Sequence, residues 1–314
     1  MLNSLFALLA VLSIAPAPEE GIHPMQMFGL SVPVEPRLVG SVDAETAREI
    51  FLPPIKKDAR DLGVLHTGES AFVADVKSAG VLYSYKAHDT HSIASLTKLM
   101  TALIVLESET GLGGDITLTN EDFDRESRDT LRIGDTIPRK DALRALMVGS
   151  INELGNAFAR TSGMSRAEFV EKMNNKAEEL HLNSMRFVDP TGLNEGNRGN
   201  AADVAALLTI AIRKAEIRDA MQEPFVILTT KAARQYTIDT TNLLMSSYLN
   251  KAPYRIIGAK TGSLPTTGYN LAQVTRNGDG NEVVTVLLGS DNHFSRYNDV
   301  KALTVWAFDA YTWR

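Results

Sequence analysis

The chain has 314 residues, 22% of them charged, a net charge of −6 and no cysteine. The acidic balance argues against a nucleic-acid partner, which needs a basic face. The missing cysteines exclude disulfides, thiolate metal sites and thiol catalysis. A chain of this length buries a substantial core without covalent staples.

Leu5 to Ala15, LFALLAVLSIA, is an uninterrupted apolar run about as long as the core of an export signal and too short for a confident membrane span. Ala15 and Ala17 supply small residues for cleavage. Residues 1–17 are therefore expected to be a signal peptide or N-terminal anchor. Residues 18–61 are rich in Pro and Gly without a steady period and are expected to be a flexible arm. AETAREIF, Ala44 to Phe51, is a candidate short helix within it, broken by Pro53 and Pro54.

From Leu62 to the C-terminus the pattern predicts one folded domain. Ser70 to Tyr85 reads as two strands around a turn at Lys77 to Gly80. HSIASLTKLMTALIVLE, His91 to Glu107, predicts an apolar helix from Ser95, with Ile116 to Thr119 a short strand after it. A helix is expected from Arg139 to Met147 and another after Asn152. Ser165 with Glu168 is a capping-box signature, and Asn200 with Asp203 repeats that logic more weakly. Strands return at Tyr254–Gly262, Gly268–Arg276 and Glu282–Gly289, the last two joined by a hairpin through Arg276-Asn277-Gly278-Asp279-Gly280. A helix over SRYNDVKALTVWAFDAY ends the chain. Strands at both ends and helices between them predict an antiparallel sheet joining the ends, with the helical segment packed on it.

Three short segments carry candidate chemistry. Ser95 and Lys98 are spaced i, i+3, so their side chains share a helix face. A serine hydroxyl needs a base to become a nucleophile, and a lysine serves once burial or nearby positive charge lowers its pKa. Taken alone, S-x-x-K also describes an N-cap beside a solvated lysine. Ser150-Ile151-Asn152 lies between two apolar helical segments. Ser150 is a candidate proton shuttle partnered with Lys98, and Asn152 a candidate to hold Lys98 or the substrate backbone. Lys260-Thr261-Gly262-Ser263 ends a strand-like run. There Lys260 supplies charge, Thr261 a donor and Gly262 room for a substrate backbone. The amides of Ser263 and Ser95 are candidates for an oxyanion hole. The histidines show no metal-ligand spacing, and Asp189-Pro190-Thr191-Gly192 reads as a turn without chemistry.

S-x-x-K, S-x-N and K-T-G in this order are the signature of penicillin-binding proteins and serine β-lactamases. With AFVADVKSAGVLYSY, IASLTKLMTAL, LMVGSINE, FVDPTGL, GAKTGSLPTTGYNLA and the closing WAF, the chain from about Ala71 onward resembles a low-molecular-weight penicillin-binding protein of the D-alanyl-D-alanine carboxypeptidase group. The resemblance implies an α/β fold of α+β type, β-lactamase/transpeptidase-like. A mixed, mainly antiparallel sheet is flanked by helices, with a mostly helical subdomain and the site between. It implies an acyl-enzyme mechanism without metal or cofactor: Ser95 attacks a D-Ala–D-Xaa bond of a peptidoglycan stem peptide, Lys98 takes its proton, and the leaving amine is protonated through Ser150 and Lys98. β-Lactams are then expected inhibitors. Location outside the cytoplasm follows, secreted or tethered to the membrane by the N-terminal apolar segment, since the second domain and C-terminal anchor of longer members are missing.

Carboxypeptidase members carry an arginine just after the final strand. In LLGSDNHFSR, Asp291 is expected to fall at that place, with Arg296 nearby. Members that cut cross-links lack that arginine, which makes a D,D-endopeptidase the alternative. A class A β-lactamase is a weaker reading, because Leu193-Asn194-Glu195 has the wrong order for the E-x-x-L-N pattern. An inactive cell-wall-binding protein is weaker too, because all three motifs are intact.

Overall fold

The structure, a computed structural model, describes residues 51–124 and 130–314. The 1–17 segment and the arm as far as residue 50, with most of the short helix expected there, lie outside the described residues. The rest of the arm lies on the body of the domain. Ile55 pairs with Thr312, and Asp61 accepts a hydrogen bond from Trp306 Nε1 at 2.8 Å.

In chain order, strands β1 (Ser70–Asp75) and β2 (Val81–Tyr85) come first. Helices α1 (Lys98–Glu107), α2 (Arg139–Gly149), α3 (Asn152–Arg160), α4 (Arg166–Glu179), α5 (Ala201–Ala211) and α6 (Ala215–Met221) follow. Then come a hairpin, β3 (Phe225–Thr229) and β4 (Gln235–Asp239), the long strands β5 (Arg255–Leu264), β6 (Gly268–Arg276) and β7 (Glu282–Ser290), and the terminal helix α7 (Ser295–Ala310). The main sheet has the order β5-β6-β7-β1-β2 with every pair antiparallel, so it joins both ends of the domain as expected. The hairpin β3–β4 has no counterpart among the expected elements. Its alternation, exposed Phe225 and Ile227 with buried Val226 and Leu228, is a two-residue period that could have revealed it.

All six residues of β1 are buried, in keeping with the uninterrupted apolar stretch Ala71–Ala74 between Ser70 and Asp75. Alternate side chains enter different cores. Phe72 and Ala74 join Val284 and Val286 against α1 and α5, while Ala71 and Val73 join Leu287 against Val300, Leu303 and Ala307 of α7. Helix α1 is buried at Lys98 through Val105, so it runs through the middle of the helical layer. The capping box at Ser165 forms as expected: the Glu168 amide donates to Ser165 Oγ at 3.2 Å, and the Ser165 amide to Glu168 Oε2 at 2.7 Å. At Asn200 half of that pattern forms. Asn200 Oδ1 accepts from the Asp203 amide at 2.7 Å, while the Asp203 carboxylate instead takes the Ser184 amide and hydroxyl.

Candidate active site

Ser95 does not begin an α-helix. It sits in a 3-10 turn, Ala94–Thr97, and α1 starts at Lys98. A 3-10 turn has three residues per turn, so residues i and i+3 eclipse one another. Lys98 Nζ accordingly lies 2.8 Å from Ser95 Oγ. Ala94 just before the serine has φ +48°, a left-handed conformation that costs a residue with a Cβ about 1–2 kcal/mol. Two glycines admit this turn. A Cβ on Gly192 would stand 2.0 Å from the Ala94 carbonyl oxygen, and one on Gly262 2.8 Å from that of Ile93 and 3.1 Å from the Ser95 amide nitrogen. The nucleophile turn is thus clamped between the D-P-T-G turn and the K-T-G strand.

Lys98 is fully buried and makes three hydrogen bonds: to Ser95 Oγ, to Asn152 Oδ1 at 2.7 Å and to the Thr191 carbonyl at 2.6 Å. Burial pushes its pKa down to about 7, against the pull of Asp189, Glu153 and Asp124. The Thr191 carbonyl is held in place by Asp189. That carboxylate accepts from the amides of Thr191 and Gly192 at 2.6 and 2.8 Å, from the Thr191 hydroxyl, and from Asn197 Nδ2 at 2.5 Å. Burial raises the Asp189 pKa, but these donors outweigh it and hold the carboxyl below the usual range. The turn read as structural punctuation therefore supplies one of the three acceptors of the buried amine.

Ser150 caps α2 in the left-handed conformation, φ +60°, and Asn152 opens α3, so the S-x-N segment is the break between two helices. Its partners differ from expectation. Ser150 Oγ accepts from Lys260 Nζ at 2.7 Å, whereas Lys98 reaches Asn152. In the resting site Ser150 is thus the partner of Lys260 and not of Lys98, because the left-handed cap turns its side chain to the strand wall. Lys260 is 1% exposed, and burial, with Lys98 and Arg296 adding repulsion, drives its pKa well below that of an ordinary lysine.

Lys260 to Ser263 lie on β5, an edge strand. Thr261 Oγ1 donates to Thr241 Oγ1 at 2.7 Å, and exposed Ser263 stands at the rim. Ser95, Ser150, Thr261, Gly262 and Ser263 line a common cleft of about 340 Å³, with Thr240, Thr241 and Arg296. All eight predicted residues are therefore gathered around one cleft.

Arg296 corrects the expectation about Asp291. Asp291 is exposed and meets the Asn292 amide at 3.0 Å, whereas Arg296, in the first turn of α7, is buried and faces the cleft. It donates to the Gly262 carbonyl at 3.2 Å and the Tyr297 hydroxyl at 2.7 Å, and lies over the Tyr269 ring at 5.3 Å. The helix start reverses the chain and brings a residue five positions later to the place where the strand end was expected to act. Thr241 was not anticipated, and nothing in its local sequence marks it.

The family model described as D-alanyl-D-alanine carboxypeptidase matches residues 57–292. A D-alanyl-D-alanine endopeptidase of Haemophilus influenzae is 30% identical over 221 residues, spanning 70% of this chain and 74% of that protein. A D-alanyl-D-alanine carboxypeptidase of Bacillus subtilis is 27% identical over 265 residues, spanning 82% of this chain and 66% of its own. Among solved structures, the Streptomyces DD-transpeptidase superposes with a TM-score of 0.71 at 26% identity, over 79% of this chain and 99% of that one.

Proposed function

This chain belongs to the D-alanyl-D-alanine carboxypeptidase family, and from that premise we propose that it is a serine-type D-alanyl-D-alanine carboxypeptidase of peptidoglycan stem peptides, acting through an acyl-enzyme on Ser95. The observation that carries the reading is the buried Lys98 amine against Ser95 Oγ, with a pKa near 7. About half of it is free base at neutral pH, the condition for a general base. Asn152 and the Thr191 carbonyl take the two N–H groups of the neutral amine. Its lone pair is left facing the Ser95 hydroxyl.

Attack by Ser95 transfers its proton to Lys98 and forms a tetrahedral oxyanion. The amides of Ser95 and Ser263 are the proposed donors to that oxygen, supported by the close approach of Gly262 to the Ser95 amide. Collapse breaks the C–N bond, and Lys98 gives back the proton taken from Ser95 to the leaving nitrogen, with the Ser150 hydroxyl, bonded to Lys260 at rest, as the proposed relay. Water then hydrolyses the ester. Arg296 makes the leaving-group side of the cleft cationic, which suits the terminal carboxylate of a D-alanine. A β-lactam carries a comparable amide and carboxylate, so it acylates the same serine.

A second reading, a D,D-endopeptidase of cross-links, is favoured by the relatives named endopeptidases, such as that of Haemophilus influenzae. Arg296 suits it too where the cross-linked amine belongs to a diaminodicarboxylic acid, whose amine-bearing carbon keeps a carboxylate. In both readings residues 62–314 form the catalytic domain, and residues 1–17 carry it out of the cytoplasm or tether it to the membrane. N-terminal sequencing of the exported protein tests that segment.

Incubation with purified muropeptides, followed by mass spectrometry, separates the readings. Loss of one alanine from monomeric pentapeptides marks the carboxypeptidase, and conversion of dimers to monomers the endopeptidase. Ser95→Ala is expected to abolish both products and labelling by a fluorescent penicillin. Turnover retained in that variant defeats the mechanism.

A further inference from the structure

The two sides of Ser95 differ in charge. β5 runs from Lys260 and Thr261, past Gly262 against the nucleophile turn, to Leu264 and the turn at 265–267. As an edge strand it accepts an extended peptide along its free side. A peptide whose carboxylate sits by Thr261 and Arg296 must then run toward Leu264 and Thr266. At that end the opposing wall is the loop 193–196, and one contact bridges the two walls: the Thr266 hydroxyl donates to Glu195 Oε1. Glu195 is exposed and has no ion-pair partner among the described residues.

The loop that carries Glu195 is rigid. The Asn194 amide donates to Asp189 at 2.9 Å, the Gly196 amide to Asn194 Oδ1 at 2.8 Å, and the Asn197 amide to the Asn194 carbonyl at 3.0 Å. A groove of about 400 Å³, lined in part by Thr191, Leu193 and Asn194 and by Asp124, continues from it. A carboxylate without a cation among the described residues is therefore held against the turn that follows β5 by the same Asp189 turn that positions Lys98. Its neutral partner Thr266 is a weak one that a cation would replace.

We propose that Glu195 is the specificity-determining residue of the acyl side, and that it selects stem peptides whose third residue is a diamino acid with a free side-chain amine. This rests on the peptidase reading above and names the substrate class of the same site. In an uncross-linked stem that amine is the cation nearest the scissile bond. On binding it displaces the Thr266 hydroxyl from Glu195.

The test uses three synthetic pentapeptides ending in D-Ala–D-Ala that differ only at that amine: free, N-acetylated or N-succinylated. The full chain is expected to prefer the free amine over the acetylated form by about fivefold in kcat/KM, as for a partly exposed ion pair. Glu195→Gln should bring that ratio to about one, and Glu195→Lys should invert the order in favour of the anionic succinyl peptide. A wild-type ratio near one, or a ratio unmoved in both variants, overturns the proposal. Failure of the underlying reading looks different: no D-alanine from any peptide and no penicillin adduct on Ser95, which removes both.

Discussion

Lys98 shows how one side chain takes its chemistry from burial. The ammonium is surrendered near pH 7 because full burial disfavours the charged form by more than Asp189, Glu153 and Asp124 favour it. The neutral amine is the reactive form, so the rate of acylation by benzylpenicillin should rise with pH through about 7 and level off above it. Stopped-flow acylation between pH 5.5 and 9 checks this, and a flat profile counts against Lys98 as the base. Arg296 acts at the same scale. Its guanidinium faces the cleft and pairs with carbonyls and a hydroxyl. Arg296→Leu should reduce kcat/KM for D-Ala–D-Ala peptides by about ten- to a hundredfold, the loss expected for hydrogen bonds to a charged group. A peptide amidated at its C-terminus should be much less affected. The i, i+3 spacing of Ser95 and Lys98 was legible, because local geometry alone brings such residues together. The pairing of Ser150 with Lys260, residues 110 apart in sequence, was not.

At the scale of elements, boundaries in the sequence were set by local hydrogen bonds. The capping box at Ser165 is one such bond pair, remote from the reactive serine in sequence and fold. Ser165→Ala should cost about 1 kcal/mol in chemical denaturation and leave acylation unchanged. Gly192→Ala should behave in the opposite sense to a local cap. Its φ of +86° and the Ala94 carbonyl 2.0 Å from the new Cβ force the nucleophile turn to move. Penicillin acylation should therefore fall at least about tenfold, since misplacement by an ångström costs that or more. The helix start at Lys98 rather than Ser95, and the unanticipated β3–β4 hairpin, mark where local pattern runs short. The first depends on Gly192 and Gly262 packing around Ala94. The second has alternation, but its buried side is set by contacts with α2, a partner that only the fold supplies.

For the whole molecule, a single sheet separates two cores. Phe72 faces the helical layer, and its neighbour Val73 faces α7. Because both cores share the same strands, loss of either should lower one common melting transition. Phe72→Ala on one side and Leu303→Ala on the other should each cost about 2–5 kcal/mol. Calorimetry resolving two transitions in either variant would show the cores to be independent. The sheet also explains the clustering of the site. β5 comes from the last third of the chain and the nucleophile turn from the first, and sheet pairing holds both beside the S-x-N break in the helical layer.

The order of the motifs and an antiparallel sheet joining both ends of the folded domain were determined by the sequence alone, since spacing and apolar periodicity are local properties. Which amine holds which hydroxyl, that Arg296 rather than Asp291 meets the cleft, and that the Thr191 carbonyl completes the cradle of Lys98 were decided only by tertiary structure. Those contacts join residues up to more than a hundred positions apart, and their geometry depends on left-handed turns and close glycine packing that no local pattern encodes.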